Sequence, residues 1–354
     1  MFTLAHLFVK IKLVKHLLLL FILFVSHTVW AEKLGTFSID DIVLNSSFEY
    51  TDPKNGQFSL DGSLFSVKWE NQKNLSVILS MGPQSLLNTS LFFEAEEKDF
   101  GLLEASANYY GVYGKVSMGL LPIAFSYEGQ LKESERFFYR GLVFRKRLIP
   151  LRDFGFTYST GHGHYKTSFT VHNGESTASN PDGRVFYTGN WAWETNSFKA
   201  GLSAMTGQVK SESLNQDISE SLNLFNLNST VKVRSGSLYA LGRSKYFNVL
   251  GEAFLGQTEQ DEVIKKWHAW HIDIIYKAES MFDVVLRADY IDPNRSFGGD
   301  VVREYTLGVS LRDSNRNNRL FLYATKVVDE GEKDKANDRF SLVWRVQPKI
   351  LDLF

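Results

Sequence analysis

AWHIDIIYK (residues 269–277) places Trp270, Ile272, Ile274 and Tyr276 on one face of an extended chain and His271, Asp273 and Lys277 on the other. The same two-residue period recurs downstream. In MFDVVLRADY (281–290), Phe282, Val284, Leu286, Ala288 and Tyr290 oppose Asp283, Arg287 and Asp289. In EYTLGVSLR (304–312), Tyr305, Leu307, Val309 and Leu311 oppose Glu304, Thr306, Ser310 and Arg312. RFSLVWRVQ (339–347) opposes Phe340, Leu342, Trp344 and Val346 to Ser341, Arg345 and Gln347, and TVKVR (230–234) alternates Val231 and Val233 with Lys232. Period two is the strand period, and several runs reach about nine to twelve residues, longer than the usual five or six.

Length and trim decide between two kinds of β protein. A soluble sandwich also alternates, because one face of each strand is buried and the other wet. Here the polar face is charged over many long strands, while the opposite face is almost unbroken, apolar and rich in aromatics. That pattern suits strands tilted across a bilayer around a polar lumen. Polar connections such as 207–223, 256–262, 313–319 and 329–338 punctuate the runs, and tight signals such as ESM (279–281) join others. The expected fold is all-β, a transmembrane antiparallel β-barrel. Roughly 323 residues at about 20 per strand and connection give about 16 strands, within 14–18.

The first 31 residues set the compartment. Lys10, Lys12 and Lys15 precede the apolar run HLLLLFILFV (16–25), and VWA ends at Ala31. This is the pattern of a cleaved secretory signal peptide, and the apolar run is about half the roughly 20 residues a spanning helix needs. The division is therefore signal peptide 1–31 and a single barrel domain 32–354, exported to a bacterial outer membrane. Removing the signal takes away three of the 39 basic residues and none of the 40 acidic ones, leaving 36 against 40. Such a chain is not built to attract nucleic acid. It has no cysteine, so disulfides, thiolate nucleophiles and cysteine-held metals are excluded.

Catalytic signatures are missing: there is no Gly-x-Ser-x-Gly elbow, His-Glu-x-x-His pair or phosphate-cradling glycine loop, so the expectation is no enzyme and no cofactor. GHGHY (161–165) sets His162 and His164 at a spacing two metal ligands can use, but wet imidazoles on a hairpin rim are the simpler reading. His268 and His271 fall on opposite faces of their strand. The acidic segments 207–223 and 329–338 read as solvated loops, able to meet lipopolysaccharide through divalent cations.

SERFFYRGLVFRKRLIPLRD (134–153) does not fit the barrel wall. It is oily, yet it carries Arg136, Arg140, Arg145, Lys146, Arg147 and Arg152. Buried cations need water, an anion or a carboxylate, and Glu133, Glu135 and Asp153 lie close in sequence. The ordered set GKVSMGLLPIAFS (114–126), ERFFYRGLVFRKRLIPLRDFGF (135–156) and VHNG (171–174) resembles the phosphate-selective porin O and P family of outer-membrane anion porins. The resemblance is clearest over residues 111–176, with weaker support from DGRVFYTGNWAW (182–193). It implies a homotrimeric porin in which residues 129–151 form an inward-folded constriction loop, with the six cations pointing into water to select small anions such as phosphate. Further lumen-facing candidates are Lys232, Arg234, Arg287, Arg312 and Arg345, with Asp273, Asp283, Asp289 and Glu304 on the same faces. Wall pairing of these charges is the competing reading, and a plugged barrel with a structural or adhesive role is the rival function. The chain ends in Phe354, but Pro348 interrupts the last alternation. Mass spectrometry of the exported protein should find Glu32 as its first residue, whereas a retained residue 1 would make the segment an anchor.

Overall fold

The computed structural model describes residues 35–51, 55–59, 63–71, 74–83, 100–146, 148–174, 183–210, 230–278, 281–296, 298–312, 318–331 and 338–346. The proposed signal peptide, Arg147 and the Pro348 tail lie outside them. The strands are β1 (Thr36–Thr51), β2 (Asn55–Ser59 and Leu64–Glu70), β3 (Leu75–Pro83), β4 (Phe100–Gly111), β5 (Gly114–Pro122), β6 (Arg152–His162), β7 (Tyr165–His172) and β8 (Phe186–Glu194). They continue as β9 (Phe198–Lys210), β10 (Thr230–Arg243), β11 (Phe247–Gln260), β12 (Val263–Lys277), β13 (Phe282–Asp292), β14 (Val302–Arg312), β15 (Asn318–Asp329) and β16 (Arg339–Val346). The two pieces of β2 follow one another along β1, so they count as one strand. Each strand pairs antiparallel with its sequence neighbour, and β16 pairs with β1 to close a sixteen-stranded barrel. Closure pairs residues 44–51 of β1 with residues 339–346 of β16, sealing the edges that a β structure in hydrocarbon cannot leave open.

The alternation read from the sequence becomes an inside-out molecule. Leu238, Leu255 and Leu307 are 65, 64 and 56% exposed, whereas Asp283, Asp289 and Arg345 are only 1, 5 and 4% exposed. A protein folded in water would do the reverse. Phe247 and Tyr276 stand together with ring centroids 4.9 Å apart near the short-turn end of the outer wall. Trp270 and Tyr290 stack at 5.7 Å six residues further up β12. Six strand residues span ~20 Å, so these aromatic pairs bracket a belt close to the height of a bilayer's apolar band. Connections at the Phe247 end are short, as at 112–113, 163–164, 195–197 and 244–246. Among the described residues the other end carries the longer connection 123–151.

Above the belt the pattern changes sense. Val231 and Val233 are buried while Lys232 and Arg234 are exposed on the outer wall, so these two cations, expected in the lumen, stand outside it. The reason is physical. At this level the outer wall has cleared the apolar belt and the inside is a dry cluster: Phe186, Met205, Val231, Val233, Phe254 and Trp267 pack with Ile123, Phe125, Leu142, Val143 and Phe144 of the 123–151 connection. Gly256 makes room for this core, since a Cβ there would sit 2.0 Å from the Trp267 ring. Arg287, Arg312 and Arg345 do face inward, as expected.

An Arg at Leu286, in the belt, should destabilise the barrel by ~2–4 kcal/mol in lipid vesicles. The same change at Thr206, on the outer wall above the belt, should stay within ~0.5 kcal/mol, both read by urea titration.

Candidate functional site: a loop latched across the barrel

Register sets up the site before the loop arrives. Glu252 on β11 faces His271 on β12, His271 faces Asp289 on β13, and Asp289 faces Glu304 on β14. Inward titratable positions on four successive strands thus form one row, all buried. A second row beside it pairs Asp273 with Arg287.

The connection 123–151 contains two short helical turns, α1 (Tyr127–Gln130) and α2 (Leu142–Arg145), with a 3-10 turn (Glu133–Glu135) between them. Four-residue turns cannot satisfy their own amides, so they need outside acceptors. The acidic row supplies them. Glu252 accepts from the backbone N–H of Tyr127 at 2.7 Å and of Glu128 at 3.2 Å, and Asp289 accepts from Leu142 at 2.8 Å. Glu304 takes a two-pronged ion pair from Arg145, and its Oε1 also accepts from Arg339 at 2.8 Å. Ser203 Oγ accepts from the Ser126 amide at 3.0 Å. On the far wall, Arg345 donates to the carbonyl of Arg136, Tyr323 donates to that of Phe137, and Lys132 pairs with Asp40 on β1 at 3.3 Å. The segment is bonded to inward side chains of β1, β9, β11, β13, β14, β15 and β16.

Two charge centres form within it. Arg287 forks onto both oxygens of Glu128 at 3.2 Å, with Asp289 at 3.4 Å and Asp273 at 3.5 Å. His271 lies 3.9 Å from Glu128 and 3.8 Å from Glu252. Gly141 passes so close that an added Cβ would stand 2.5 Å from Arg287 Nη2 and 2.8 Å from Glu128 Oε2. This centre is acidic. The other is basic: Glu133, 2% exposed, pairs with Arg136 at 2.8 Å and with Arg140, and Arg152 adds a third cation acting on it. Burial alone would raise the Glu133 pKa, but Arg136, Arg140 and Arg152 hold it down to about 2. Burial pushes Arg136 down to about 9, with Arg140 and Arg345 repelling it against the pull of Glu133.

The six cations expected to select anions are therefore distributed. Arg136, Arg140 and Arg152 converge, buried, on one carboxylate; Arg145 is tied to Glu304; Lys146 is exposed. Of the acids expected to compete for them, Glu133 does pair, Glu135 folds back onto the Lys132 amide at 3.3 Å, and Asp153 binds His172 at 2.7 Å instead. His164 Nδ1 lies 3.0 Å from the Glu194 carbonyl, and no group able to hold a metal occurs among the described residues. Glu128 and Glu252 escaped the sequence reading. Their signal was a lone acid in an oily stretch, as in VLGEAFLG (249–256).

No protein-family model and no curated protein sequence matches this chain. Solved structures do. OmpT, an outer membrane protein of Vibrio cholerae, in its trimer form, matches with TM-score 0.65 and 9% identity over 89% of this chain and 99% of that one. The anion-selective porin from Comamonas acidovorans matches with TM-score 0.65 and 11% identity over 88 and 99%. The outer membrane channel DcaP of Acinetobacter baumannii matches with TM-score 0.63 and 10% identity over 89 and 97%. At such identities the likeness is one of fold: this chain has the sixteen-stranded barrel fold of outer-membrane porins.

Because the Glu133 carboxyl titrates below its ordinary 4.5, its stabilisation is complete above that value and is lost as pH falls through about 2. The part of the thermal stability in detergent that Glu133 contributes, read as the difference between the unaltered chain and Glu133→Gln, should be constant from pH 7 to 5 and shrink below about 4.5. Glu133→Gln leaves three guanidiniums around a neutral group, which should cost ~3–5 kcal/mol at pH 7 and shrink the acid-dependent fall.

Proposed function

We propose that this chain is a passive diffusion channel of the bacterial outer membrane, exported by its first 31 residues, working as a homotrimer and favouring small anions such as phosphate. The observation that carries the anion preference is the imbalance between the two centres of the loop. At the acidic centre the carboxylates are occupied by four backbone N–H groups, those of Tyr127, Glu128, Gly141 and Leu142, and by Arg287. At the basic centre three guanidiniums face two carboxylates: Arg136 and Arg140 pair with Glu133, Arg152 is drawn to both Glu133 and Glu104, and Arg136 Nε and Nη1 and Arg140 Nε make no hydrogen bond. Positive charge in surplus beside low-dielectric walls raises the local concentration of anions and repels cations. Arginine also offers forked donors suited to phosphate and carboxylate oxygens. The exposed Lys146 adds to the same sign. The trimer rests on the resemblance and on the trimeric form of the Vibrio cholerae protein.

A second reading, a barrel that does not conduct and serves a structural or adhesive role, draws support from the apolar cluster that joins the loop to the upper wall around Phe254 and Trp267. Conductance separates the two. In a planar bilayer across a potassium chloride gradient, the mature chain should give stepwise conductance with an anion-selective reversal potential, reduced by added phosphate. Arg152→Gln with Lys146→Glu should move that potential toward cation selectivity. Silence from folded protein would establish the closed barrel, and cation selectivity in the unaltered chain would overturn the role of the basic centre.

A further inference from the structure

The two cations that left the lumen define a site of their own. On the outer wall, register aligns Tyr187, Thr206, Arg234, Gln257 and Lys266 across β8 to β12, with Gln208, Lys232 and Glu259 in the next row toward the long loops. One row nearer the belt stand Gly189, Ala204, Gly236 and Leu255, and the row below that holds Trp191, Leu202, Leu238 and Trp270. The wall therefore passes from bulky apolar side chains through a step of small residues to basic ones within about 13 Å, at ~3.3 Å per residue. Lys232 and Arg234, with Arg184 from the preceding loop, line a groove of about 330 Å³ that opens outward beside Tyr187. Lys232 donates to Glu259 at 2.8 Å and Arg184 to Thr230 Oγ1 at 2.8 Å. Glu259 is the acid facing these cations from the neighbouring strand.

From this juxtaposition we infer that the outer wall of β8–β12 holds a binding site for the phosphate-bearing headgroup of a membrane lipid, in the leaflet on the long-loop side. A lipid standing against the Leu238 and Leu202 surface carries its headgroup to the level of Arg234 and Lys232. There, clustered cations attract anionic headgroups at short range, and arginine presents fork-shaped donors to phosphate oxygens. Tyr187 provides an aromatic shelf at the interface, where amphipathic rings settle. The step of Gly189, Ala204 and Gly236 removes the bulk that would keep the first carbons of the chains off the wall; a Cβ at Gly189 would meet nothing within 4 Å. The site lies on the opposite side of the wall from the loop and does not depend on whether the barrel conducts.

The test uses the folded full-length barrel in detergent micelles doped with phosphatidic acid or, separately, phosphatidylcholine, with retained lipid counted by native mass spectrometry. Phosphatidic acid should be retained in preference, and Lys232→Gln with Arg234→Gln should weaken its retention by about 30-fold at low salt. Glu259→Gln, which frees Lys232, should tighten it. Heat-modified gel mobility identifies the folded fraction of each variant. Equal retention of the two lipids by the unaltered chain, or undiminished preference in the double variant, would overturn the site. Displacement of the lipid by millimolar inorganic phosphate would reassign it to free phosphate.

Discussion

The row Glu252, His271, Asp289 and Glu304 is the constraint on which the interior depends. Each residue stands on the inward face of its strand, and antiparallel register brings all four side by side. The 123–151 segment is too short of regular structure to satisfy its own backbone, so it can lie inside a barrel only where acceptors already wait for its amides. Glu252 and Asp289 are those acceptors, and Glu304 fixes the Arg145 end. Slipping one strand by a residue would turn its member of the row out into lipid and leave amides unpaired.

Packing and electrostatics divide the interior between them. Toward the long loops the segment is held by apolar contact, with Phe144 edge-on to Phe254 at 6.2 Å. Toward the short turns it is held by ion pairs and carbonyl-directed arginines. Buried ion pairs of this kind give direction more than net stability, since each charge gives up water to form them. They tie Arg136 and Arg140 to Glu133 and Arg287 to the carboxylates of Glu128, Asp273 and Asp289, and the two clusters adjoin, with Arg136 also acting on Glu128. The outer wall shows the complementary economy: the belt is apolar and bracketed by rings, and charge returns as soon as the wall clears it.

Strand period, strand length and the aromatic trim were legible because each depends on a residue and its near neighbours alone. In 269–277 and 281–290 the faces read from alternation are the faces observed: Ile272 and Leu286 point out, His271 and Arg287 point in. The segment 134–153 was legible as a misfit, since no strand accepts six cations among Phe, Leu and Ile. Its partners were not. Arg145 meets Glu304 from 159 positions away, and Arg345 reaches Arg136 across 209. Lys232 and Arg234 misled for a related reason: alternation tells which residues share a face, but not whether that face meets water or a packed interior at that height.

The sequence by itself determined long strands with one apolar, aromatic-rich face and one charged face, because a period of two places successive side chains on opposite faces, and a closed barrel is the arrangement that turns such apolar faces to lipid and sheds the edges. Only the tertiary structure decided which charges meet. Register between neighbouring strands and the path of one segment through the interior bring together residues a hundred or more positions apart, and those distances set whether a cation is a free charge or half of a pair.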